Sequence, residues 1–174
     1  MTNIELFNAY TGTVLGSLYE EFPVPARLNS RSLAFAVLGR DKSYAPDIAK
    51  IAGLEVDLER ADPDTIPITP TTIYTHYSSI AHYTIKWLLD CDYIRIAGDE
   101  PKGSFDESRH SFVLSPKALE VLSMVPESLQ STQSYGSKLA EASKELATEA
   151  GKSVVTDIVG KVITTAISLF SAPD

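Results

Sequence analysis

Between Leu139 and Phe170 an apolar side chain returns every three or four residues, through Ala142, Leu146, Ala150, Val154, Ile158, Val162 and Ala166. That is the period of one face of an α-helix. Residues 152–170 (KSVVTDIVGKVITTAISLF) are the most apolar segment of the chain. Val154, Val155, Ile158, Val159, Val162, Ile163, Ala166 and Ile167 form a broad face there. Water penalises such a face by roughly 25 cal/mol per Å² of apolar surface. It must be sheltered by a second copy or a protein partner, by the rest of the chain, or by a lipid surface, and we rank the readings in that order. These eight residues are the candidate surface for self-association or partner docking. Asp157 and Lys161 stand near the middle of the segment, and a central charge costs about 2.5–3.5 kcal/mol on membrane insertion. A membrane-surface role ranks last because no basic cluster favours anionic lipid. Small residues, including Ala142, Ala147, Ala150, Gly151 and Gly160, permit close approach of a neighbouring helix. Glu141/Lys144, Glu149/Lys152 and Asp157/Lys161 are spaced as intrahelical pairs.

The chain has 174 residues, with 15 basic and 23 acidic side chains for a net charge of −8. Most of the excess sits in two short polar stretches, 51–64 and 99–107, which also hold Pro63, Pro101 and Gly103 and read as loops. One cysteine excludes an internal disulfide framework and a multi-cysteine zinc site. The first twenty residues carry Glu5 and Glu20 and no basic n-region, so the expected address is the cytoplasm.

Residues 4–22 form a helical pattern, with Asn3 as a cap and Pro23 and Pro25 as the stop. Gly12 and Gly16 weaken that helix by roughly 1 kcal/mol each relative to alanine, and close packing against a neighbour would explain them. The apolar run Leu33–Leu38 is too short to assign. Residues 43–53 fit a short second helix, and the prolines at 63, 67 and 70 make 62–72 a connector. A long helix is expected over 72–91, with a break left open at Ser78 or Ser79. YIRIAG and SFVL read as two strands around a long hairpin tip, DEPKGSFDESRH. Ser115-Pro116 starts a further helix that runs toward Pro126. PESLQSTQSYGS is a polar linker.

Three stretches carry a family resemblance. The helix-to-strand junction TIKWLLDCDYIRI is similar to the end of a recognition helix entering a wing strand. SFVLSPKALEVL resembles the strand-then-helix signature of winged-helix regulators of the MarR and PadR kind, with Ser115 where threonine is usual and Ala118 where glycine is usual. LYEEFPVPARL resembles a group of uncharacterised bacterial and prophage winged-helix proteins that also carry a C-terminal helix. The resemblance covers roughly residues 4–22 and 72–125. It implies a mainly α fold with a small β-wing, a winged helix-turn-helix followed by a long amphipathic helix. The expected division is 1–126 for the winged domain, 127–135 for the linker and 136–171 for the helix.

Such a fold often enters a DNA major groove and in other cases binds protein. The residues placed to touch DNA are His82, Tyr83 and Lys86 on the long helix, with Arg95, Lys102 and Arg109 on the wing. Asp99, Glu100, Asp106 and Glu107 surround the wing cations and would repel phosphate. A protein-binding scaffold therefore ranks ahead of a DNA-binding regulator.

Nothing in the chain points to catalysis. His76 and His82 are six residues apart, about 120° from a shared helix face. HExxH and CxxC spacings are missing, Cys91 follows an apolar stripe, and Gly98 to Gly103 lacks the spacing of a phosphate loop. The expectation is no catalytic residue, no metal, and no cofactor or small-molecule ligand. The leading functional reading is a non-enzymatic protein that self-associates or docks a protein partner through its last helix. A DNA-binding transcriptional regulator comes second. A membrane-surface component of a prophage or defence system comes third.

Overall fold

Thr2 and Glu5 open the first helix by a reciprocal exchange. The Thr2 amide donates to the Glu5 carboxylate at 2.6 Å, and the Glu5 amide donates to the Thr2 hydroxyl at 3.3 Å. This capping box satisfies two amides that a helix end otherwise leaves orphaned. The cap is therefore Thr2 and not Asn3, because only Thr2 has a glutamate three residues on. The helix, α1, spans Asn3–Glu21 and ends before Pro23.

The computed structural model describes residues 2–40, 70–98, 105–124, 133–146 and 148–170. The helix expected at 43–53, the tip of the hairpin at 99–104 and most of the linker lie outside the described residues, as does nearly all of the proline-rich connector. After α1 come β1 (Ala26–Arg27), α2 (Ser30–Arg40), α3 (Pro70–Asp90) and β2 (Ile94–Ile96). A 3-10 turn (Glu107–Arg109), β3 (Ser111–Leu114), α4 (Pro116–Ser123), α5 (Tyr135–Lys144) and α6 (Glu149–Phe170) follow. The described residues are mainly helical, with one small three-stranded antiparallel sheet in the order β1-β3-β2. Phe112 in the central strand faces Ala26 on one side and Ile96 on the other.

The unassigned run Leu33–Leu38 lies within α2. Its cap is Asn29, whose side-chain oxygen accepts from the amides of Arg31 at 2.9 Å and Ser32 at 3.2 Å. Helix α3 is continuous through Ser78 and Ser79 and begins at Pro70, inside the expected connector. The Ser78 hydroxyl donates back to the Thr75 carbonyl instead of capping a new helix. Asp92 then takes a positive φ of 56° and turns the chain into β2. Helix α4 starts where Ser115-Pro116 places it and stops at Ser123, with the Ser115 hydroxyl accepting from the Ala118 amide.

The tail is two helices and not one. The pattern from 136 to 170 is interrupted at Glu145 to Thr148. The Thr148 hydroxyl accepts from the Gly151 amide at 2.9 Å and so caps α6. Apolar spacing alone did not reveal the break, since Leu146 keeps the rhythm and is buried within the bend. Of the expected ion pairs, Lys152–Glu149 and Lys161–Asp157 form, whereas Lys144 reaches across to Glu20 on α1 at 2.7 Å.

Helix α1 is the centre of the molecule. Leu6, Tyr10, Val14, Leu15 and Leu18 are buried in one cluster with Ile85 and Leu88 of α3, Phe112 of the sheet, Leu139 of α5 and Val155, Val159 and Val162 of α6. The two glycines of α1 mark where the tail helices come closest. A Cβ on Gly12 would stand 2.5 Å from Val155 Cγ1, and one on Gly16 would stand 2.9 Å from Ala140 Cα. Close packing is the reason for both.

Candidate functional site

The long helix α3 presents Thr75, His76, Ser79, Tyr83, Lys86 and Asp90 to solvent along one side. Its opposite side, with Tyr77, Ala81, Ile85 and Leu88, belongs to the core. Helix α2 braces it, with the Phe35 and Tyr74 rings 4.8 Å apart. Tyr83 is the most prominent aromatic of this ridge, at 67% exposure.

His82 is not part of the open ridge. Its Nδ1 lies 2.7 Å from the Glu107 carboxylate, across from the 3-10 turn that precedes β3. Glu107 is buried, and the Ser30 side chain of α2 lies close enough to favour its charged form. Burial pushes the Glu107 pKa up, but the polar groups of Ser30, its own backbone amide and His82 outweigh it, and the net shift is downward. Phe105 closes the arrangement. Its ring stacks on His110 at 5.8 Å and packs against His82 at 5.8 Å and Phe112 at 6.5 Å. Helix α3 is thus tied to the base of the hairpin by one carboxylate and one phenyl ring. Sequence reasoning counted Glu107 only as a repulsive charge, because no local spacing joins two residues 25 positions apart.

Among the described residues, the cations expected to touch DNA each hold a carboxylate of their own. Lys86 pairs with Asp90 at 2.8 Å, Arg95 with Asp92 at 2.9 Å and Arg109 with Asp106 at 3.0 Å. The Arg95 contact is two-pronged, its second nitrogen lying 3.1 Å from the other Asp92 oxygen. It holds the Asp92 carboxyl below the usual carboxylate range. Hydrogen bonds from Ser108, with help from Arg109, do the same for Asp106. Lys102 lies outside the described residues. These pairs are solvent-exposed and individually weak. Their effect on the local field is plain, since three cations and three anions sum to zero.

The eight candidate docking residues divide. Val155, Ile158, Val159, Val162 and Ala166 are buried against the chain itself, and Ile163 is half-buried. Val154 and Ile167 remain exposed, the latter at 55%. Beyond them, Leu169 and Phe170 are exposed apolar side chains that the eight candidates did not include. By length and composition α6 is apolar enough to cross a membrane, with a mean hydropathy of 1.5 and 28% of its most apolar stretch buried. The core helix of a soluble protein passes the same test. Among the described residues no group of three or more His, Cys, Asp or Glu side chains is placed to hold a metal ion.

A search of family models, of curated proteins and of solved structures finds no match to this chain.

Proposed function

We propose that this protein is a non-enzymatic interaction module, a winged-helix type of frame that binds protein through apolar surface on its last helix. Among the described residues the order α1, β1, α2, α3, β2, β3, with strands arranged β1-β3-β2, resembles that of a winged helix-turn-helix, which supports the frame. The observation that carries the function is a contrast in surface. Lys86, Arg95 and Arg109 are engaged by their own carboxylates, while Ile167, Leu169 and Phe170 stand exposed at the end of α6. Free cations are what phosphate binding draws on, and exposed apolar side chains are what protein docking draws on. The reading places the protein in the cytoplasm, without a cofactor.

A DNA-binding regulator is the second reading, favoured by the α3 ridge with His76, Ser79, Tyr83 and Lys86 facing outward beside a hairpin. Two measurements on the whole protein separate them. Sedimentation velocity across a concentration series is expected to show reversible assembly, alone or with a purified partner. A mobility-shift assay at low salt with DNA from its own upstream region is expected to show no complex. A salt-sensitive DNA complex from a strictly monomeric protein would reverse the order of the two readings.

A further inference from the structure

We draw no further inference here: the strongest candidate, the cavity of about 490 Å³ between α1 and α6 where Glu5, Glu149, Asp157 and Lys152 meet, is an acidic cluster whose carboxylates are already engaged within the chain by Thr2, Lys152 and Lys161, and nothing among the described residues points to a ligand there.

Discussion

The Ser115 hydroxyl donates to the Asp92 carbonyl oxygen at 2.6 Å. The Ser115 hydroxyl oxygen in turn accepts from the Ala118 amide at 3.1 Å, so one side chain caps α4 and pins it to the turn between α3 and β2. The Ser115 amide donates to the Tyr93 carbonyl at 3.0 Å, and Lys117 donates to the Cys91 carbonyl at 3.1 Å while its ammonium sits 4.6 Å from the centre of the Tyr93 ring. Two of the three stretches that carry the winged-helix resemblance are thus stitched together at one point. Ser115→Ala should cost about 1–2 kcal/mol, the range for losing an N-cap. Ser115→Thr should keep most of it. Urea denaturation midpoints at unchanged slope are the measurement.

Gly12 and Val155 test whether the tail helices belong to the core. Gly12→Ala forces a methyl group onto Val155 and is expected to destabilise by about 1–3 kcal/mol. Val155→Ala removes the obstructing methyls and leaves a void. The double variant should be more stable than the sum of the two losses predicts, a coupling that a double-mutant cycle measures directly.

Removing residues 134–174 should therefore unfold the protein. Leu139, Leu146, Val155, Val159 and Val162 share the buried cluster of α1, so the truncated chain would expose that helix to water. The expected result is loss of cooperative thermal unfolding and precipitation, not a soluble winged domain. For a smaller probe, Leu139→Ala should cost about 2–5 kcal/mol.

Glu107 sets an acid-side limit. Its pKa is lower in the folded protein than the ordinary value of 4.5. A depressed carboxyl stabilises the fold fully above that ordinary value and loses the contribution as pH falls through the folded value. Stability should decline below about pH 4.5, and Glu107→Gln should flatten that decline while lowering stability at neutral pH. Denaturation midpoints of the two proteins between neutral and acid pH decide the point. An equal acid slope in both would show that Glu107 does not contribute.

Freeing Lys86, Arg95 and Arg109 should create the DNA affinity that the wild type is expected to lack. Asp90→Asn, Asp92→Asn and Asp106→Asn together leave Lys86, Arg95 and Arg109 without their carboxylate partners. The triple variant should form a DNA complex that dissolves with added salt. Persistent absence of any complex would mean that these three cations do not share a face that DNA can reach.

Much of the chain's local architecture was legible beforehand, because helix periodicity, a proline stop or a Ser-Pro start acts within about four residues. Helix α1, the two strands, the start of α4 and the body of α3 were visible on that basis. Gly12 and Gly16 announced close packing without saying against what. Tertiary structure alone decided the rest. The break at Thr148 is invisible to apolar spacing because Leu146 faces the core on either path, and the bend appears only when α5 and α6 both lie on α1. His82 found Glu107 from 25 positions away, and Lys144 passed over the nearby Glu141 for Glu20. Such choices depend on which surfaces the folded chain brings together, and local spacing contains no information about distances through space. The apolar face of the last helix follows the same rule. Its need for shelter was written in the residues, while the finding that α1 shelters one side and leaves the Gly160 side open belongs to the fold.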